Sequence, residues 1–198
     1  MSVHTTRPSL LSRVAGADDS AWSEFERIYG ELIIRFCRRS GMQLGDAEDI
    51  RQVVMIKLYR FLPKFEYDST KGRFRDYLGS MVRNTISSHF SRHKTSDRPV
   101  SICEAHLAVP DVGPSVDVWN DEWTQHHIRR AMSALAKQVD EKSIEVFRAI
   151  LAGEEIQEIE KRFKTRPDAI RKIKQRMKSR MRELIAAQIQ DEEHPPGT

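Results

Sequence analysis

Between Lys161 and Glu183 the chain carries eleven lysines and arginines against two acids, Asp168 and Glu183, a local balance of +9. The preceding stretch, Asp140 to Glu160, holds seven acids against Lys142 and Arg148, a balance of −5. The formal net charge of +4 hides this contrast. A basic stretch at helical spacing suits a polyanion, and a solvated helix face is the plain alternative. The acids inside it are too few to form i,i+4 pairs along its length. Ile156, Ile159 and Phe163 before it predict a short helix, and Thr165-Arg166-Pro167-Asp168 a turn, which together give a helix-turn-helix layout. Pro167 fits a first helical turn, where its missing N–H costs nothing, and Asp168 suits the positive end of the helix dipole.

With Ile170, Ile173 and Met177 inward, Arg171, Lys172 and Gln175 face out on the first turns of this helix. Arginine can pair with guanine and glutamine with adenine. Arg166, Lys174, Arg176 and Lys178 are cast as phosphate contacts. Two residues depart from the usual motif. Lys164 stands where a glycine is common in the turn, and Glu160 occupies a position that is usually small.

Other chemistry is hard to assemble. The seven histidines form no HExxH motif, and the adjacent His126 and His127 would point about 100° apart on a helix. No glycine-rich phosphate loop and no Ser/His/Asp arrangement stands out. The expectation is a protein without catalytic residues, metal or cofactor. Cys37 and Cys103 form no CxxC pair and read as reduced thiols. No secretory leader is evident at the start and no apolar run is long enough to cross a bilayer, so a cytoplasmic protein is expected.

The positioning elements read as helices, and an all-α fold of two small domains is expected. In the first, residues 8–96, Asp18, Asp19 and Ser20 offer capping oxygens. Trp22, Phe25, Ile28, Tyr29, Leu32, Ile33 and Phe36 then recur at helical spacing. A second helix begins at Asp46, with Ile50, Val53, Val54, Ile56, Leu58 and Phe61 apolar, and Pro63 ends it. Residues 65–72 read as a loop. A third helix starts at Phe74 and carries Tyr77, Leu78, Met81, Val82, Ile86 and Phe90. Residues 97–123, with Pro99, Pro110, Gly113, Pro114 and five acids between Glu104 and Glu122, read as a flexible acidic linker. Residues 124–188 form the second helical domain, and 189–198 a tail.

Asp46 to Phe65, DAEDIRQVVMIKLYRFLPKF, followed by FRDYLGSMVRNTISSHFSRHK from Phe74 to Lys94, resembles the second conserved region of bacterial RNA polymerase sigma factors of the extracytoplasmic-function group. The C-terminal segment resembles their fourth conserved region. The resemblance implies that Asp46, Glu48, Asp49 and Gln52 dock on core RNA polymerase; helix-start capping is the ordinary explanation for the acids. It implies that Arg73, Arg75, Tyr77, Arg83 and Asn84 help to open promoter DNA. Ser87, Ser88, Phe90, Arg92 and His93 would follow on the face meeting the minus-ten element. Core packing is the ordinary role for Tyr77 and Phe90. Arg166, Asp168, Arg171, Lys172, Lys174, Gln175, Arg176 and Lys178 would meet the minus-thirty-five element. The acidic linker would thread polymerase channels, or serve as a solvated tether. With no long C-terminal extension to hold a sensor, control in trans is expected, which leaves room for an anti-sigma factor as a further partner. The competing reading is a stand-alone helix-turn-helix regulator that needs no polymerase.

Overall fold

A computed structural model describes residues 10–16, 18–62, 73–94 and 115–193. Those residues form helices and no strands, in two compact units: Met1–Thr124 with Asp191–Thr198, and Gln125–Gln190. No helix among them is long and apolar enough to cross a membrane.

The first unit is built on α2, Asp19–Arg39. The Asp18 carboxylate caps it, accepting from the Ser20 and Ala21 amides at 2.9 and 3.2 Å. The Ser20 hydroxyl, followed by the Ala21 amide, holds that carboxyl down at about 2. The predicted stripe of α2 is buried from Phe25 to Phe36, and Cys37 lies fully buried beside it. At the far end Gly41 takes the left-handed conformation (φ 86°), the Gly41 amide bonds Arg38 O, and the Met42 amide bonds Cys37 O. This closing motif needs a residue that accepts positive φ, and it tucks Met42 into the core. A short α1, Leu10–Ala15, was not expected; Leu10, Leu11 and Val14 pack it on α2.

α3, Leu44–Phe61, packs on α2, and α4, Phe74–Lys94, packs on α3. α3 starts two residues earlier than expected, and its N-cap Gln43 makes no side-chain capping bond. Asp46 therefore sits inside the first turn, not at the cap. Ile50, Val54, Met55 and Leu58 are its core residues, while Val53, Ile56 and Phe61, expected to be apolar partners of that core, are exposed. The predicted loop 65–72 lies outside the described residues.

The expected linker differs over its last part. Residues 97–114 lie outside the described residues, but Val116–Ala136 is a helix, α5, whose residues 116–124 belong to the first unit. Trp119 and Trp123, one turn apart, are 1% and 5% exposed and part of the first core. Trp119 meets Phe36 edge-on (centroids 5.1 Å) and Trp123 stacks on Tyr29 (6.1 Å). Arg39 grips the neighbouring acids, at 2.7 Å from Asp121 and 3.2 Å from Glu122. Buried indoles each remove about 150–250 Å² from water, worth roughly 4–6 kcal/mol apiece as an upper bound. That is too much for a loosely held tether. The prolines and acids concealed two anchors at i,i+4 spacing.

The second unit holds the rest of α5, α6 (Glu141–Leu151), α7 (Ile156–Phe163) and α8 (Pro167–Glu193) as far as Gln190. Asp140 caps α6 by accepting from the Ser143 amide at 2.8 Å, and the Ser143 side chain, followed by that amide, lowers its pKa. Leu135, Ile144, Phe147 and Met177 make one core cluster; Val146, Ala149, Ile159 and Ile170 make another. Ile156, one of the apolar residues that predict α7, is exposed, as is Leu151 at the end of α6. α8 runs to Glu193, so 189–193 is helix where a tail was expected, and 194–198 lies outside the described residues.

Candidate nucleic-acid interface

The basic surface is carried by α8. Ile170 and Met177 are buried and Ile173 partly so, while Arg166, Asp168, Arg171, Lys172, Lys174, Gln175, Arg176 and Lys178 are all exposed. Ile170, Ile173 and Met177 share one face because their spacings of three and four residues match the helical repeat. Two of the cations have partners within the unit. Arg171 Nη1 donates to Asp168 Oδ1 at 2.8 Å, and Arg176 Nη2 donates to Ser143 Oγ at 3.2 Å. A DNA ligand would have to compete with the first bond, an exposed i,i+3 pair of small worth.

Between α7 and α8 lie only Lys164, Thr165 and Arg166. The missing glycine does not open this turn. Lys164 itself adopts the left-handed conformation (φ 48°, ψ 50°), and its amide and that of Thr165 both reach Glu160 O. A non-glycine residue there costs roughly 1–2 kcal/mol. Packing of Phe163 and Ile173 around Ile159 and Ile170 offsets it. Glu160 is half-buried and serves the turn through its carbonyl, so its longer side chain is no obstacle.

On α3 the residues Glu48, Asp49 and Gln52 are exposed, and Asp46 is half-exposed with its carboxylate 3.6 Å from His89 Nε2 of α4. Asp49, Gln52, Val53 and Ile56 follow one another at helical spacing, so they line one outward stripe. Val53 and Ile56 are 42% and 47% exposed. Sequence periodicity missed these two because aliphatic residues at three- and four-residue spacing read as core. Tyr59, 60% exposed, continues the stripe and meets Trp22 edge-on at 5.2 Å. Val53, Ile56 and Tyr59 thus form a row of exposed apolar side chains on an otherwise polar helix face, a feature that protein-binding surfaces carry.

Residues 27–95 match the family model of sigma-70 region 2. No curated protein matches the chain. The region 2 match contains α3, α4 and most of α2, and it supports a sigma-factor role for the first unit.

Within the region 2 segment, α4 buries Phe74, Leu78, Val82 and Ile86 along one face, with Thr85 buried beside them. Helical spacing divides the candidate residues of α4 between two flanks. Tyr77, Asn84 and Ser88 share one. Tyr77 is half-buried, which pushes its phenol pKa up, and the Ser88 hydroxyl donates to Asn84 O at 2.8 Å. Arg75, Arg83 and Phe90 fall on the other. Phe90 is 48% exposed and meets His89 edge-on, so core packing does not explain it. Arg83 donates to Ser80 Oγ at 3.2 Å, and burial lowers its pKa. Arg73 is exposed just before the helix, and Ser87 is half-buried with its hydroxyl unpaired among the described residues. Arg92 and His93 continue α4, and their side chains lie outside the described residues.

Proposed function

We propose that the chain is a sigma factor of the extracytoplasmic-function group, which binds core RNA polymerase and directs promoter recognition, DNA melting and transcription initiation. It acts in the cytoplasm and supplies no catalytic group, because RNA synthesis is the polymerase's chemistry. The first unit docks through the outward stripe of α3. α4 handles the opened minus-ten strand, with Tyr77 and Phe90 offering stacking surfaces and Arg75 and Arg83 offering charge. α7 and α8 act as a helix-turn-helix at the minus-thirty-five element, Arg171, Lys172 and Gln175 reading bases and the other α8 cations holding phosphates.

The observation that carries this reading is the α3 stripe inside the region 2 match: Asp49, Gln52 and two exposed aliphatic side chains on one face. A stand-alone helix-turn-helix regulator would need the second unit alone and leaves that stripe without a use. Capture of the full chain by immobilised core RNA polymerase tests the difference. Ile56→Asp changes a half-exposed side chain and should cost little stability. It should nonetheless reduce capture tenfold or more, as burying a charge in an apolar contact does. Undiminished capture of a folded Ile56→Asp chain, or no capture of the unaltered one, overturns the proposal. Run-off transcription on genomic fragments then identifies the promoters.

A further inference from the structure

Arg75 is held from two sides by α5. Its backbone carbonyl accepts the Trp119 indole N–H at 3.2 Å, and its Nη2 donates to the side-chain oxygen of Asn120. Its Nε is buried without a partner among the described residues. The guanidinium is therefore fixed in place by a neutral amide. The nearby acids are engaged elsewhere, since Asp121 and Glu122 both pair with Arg39. Among the described residues neither Arg75 nor Arg83 has a carboxylate within ion-pair distance. The two arginines share one flank of α4, eight residues apart, roughly 12 Å along the helix at its 1.5 Å rise. A carboxylate at position 120 would orient Arg75 equally well but would cancel its charge. An amide orients it and leaves the charge for an anion.

We infer that Asn120 is a positioning residue for strand binding: it holds the Arg75 guanidinium, charge intact, on the α4 flank that receives a phosphate of the opened DNA strand. The inference rests on the reading of α4 as the strand-handling helix. It makes the start of α5 part of the DNA site. The hold is not a mask, because the tether is uncharged and the Trp119 anchor that carries it is buried.

The test uses the full chain and a labelled single-stranded oligonucleotide of mixed sequence, with excess unlabelled duplex to occupy α8. Affinity is measured across a salt series. Arg75→Ala should weaken binding and reduce the slope of log K against log salt by about 0.7, the value for one phosphate contact on a single strand. Asn120→Asp should reproduce both effects while the chain melts no lower than the unaltered protein, because it adds an ion pair. Asn120→Ala should weaken binding less and keep the slope, because the charge remains but is no longer fixed. A structural role alone would leave the slope unchanged in Asn120→Asp. If Arg75→Ala binds like the unaltered chain, the strand-handling role of Arg75 fails. If Arg75→Ala weakens binding and Asn120→Asp does not, that role stands and the positioning role fails. Tighter binding by Asn120→Ala would show that the α5 segment masks the arginine, which also overturns the inference.

Discussion

Replacing Gly79 with alanine should destabilise the first unit, and the sign should reverse when Trp119 is also removed. A Cβ at position 79 would lie 2.5 Å from Trp119 Nε1, 2.7 Å from Cε2 and 2.8 Å from Cδ1. These atoms belong to a rigid ring whose N–H is bonded to Arg75 O, so the ring cannot turn aside cheaply. Overpacking of this kind costs about 1–3 kcal/mol. Against it stands the gain from replacing a mid-helix glycine, about 0.5–1 kcal/mol. The overpacking prevails, and Gly79→Ala should lower stability by about 1 kcal/mol. Trp119→Ala should lower it by about 3–5 kcal/mol through the cavity it leaves. In that background the clash is gone, and Gly79→Ala should stabilise by about 0.5–1 kcal/mol. Denaturant unfolding followed by tryptophan fluorescence isolates the relevant unit, since Trp22, Trp119 and Trp123 all lie within it. Two of the three remain as probes in Trp119→Ala. The coupling follows from the four chains of the cycle. A Gly79→Ala effect of the same sign in both backgrounds would refute the packing described for α5.

In the second unit, Arg171→Ala should cost about 1–3 kcal/mol on the true promoter element and little on scrambled duplex, while Lys178→Ala should weaken both alike and flatten the salt slope by about one unit; equal effects of the two in a binding titration would leave Arg171 no base-reading role. Tyr77→Ala or Asn84→Ala should reduce run-off transcription more on a paired promoter than on one with a pre-opened bubble, since lost stacking is worth about 1–3 kcal/mol per base. An identical loss on both templates would argue against a melting role. For the cap of α2, the folded Asp18 carboxyl titrates at about 2 against 3.8 ordinarily, so its contribution is complete above pH 4 and fades as pH falls towards 2. Asp18→Ala should therefore lower the Tm at neutral pH, and the gap to the unaltered chain should close on acidification. A gap that persists at pH 2 would remove the carboxylate from the explanation.

Amphipathic stripes make most helices legible in the sequence. α2 follows its periodicity from cap to closing glycine, and α8 keeps Ile170, Ile173 and Met177 on one face. What periodicity could not separate is an apolar side chain bound for the core from one left outward: Val53 and Ile56 have the same chemistry and spacing as Ile50 and Val54. The indoles at 119 and 123 were hidden differently. Compositional averaging over a stretch rich in proline and acid outweighed two indoles that prove to be 1% and 5% exposed. Lys164 shows a third limit. A left-handed turn residue is announced by glycine when glycine is present, but tertiary packing can impose the same geometry on a lysine. For the sites, charge and helix faces located the α8 surface, whereas the tie between Arg75 and Asn120 joins residues forty-five positions apart and has no local signal.

The inward setting of Cys37 on α2 has a practical consequence for labelling chemistry. Burial pushes its thiol pKa up to about 12, so almost none is thiolate at neutral pH, and the thiolate is the form that attacks maleimides and peroxides. The sequence holds one other cysteine, Cys103. With Cys37 silent in the folded protein, thiol-directed labelling leaves α2 unmodified, and no native residue need be removed to protect it.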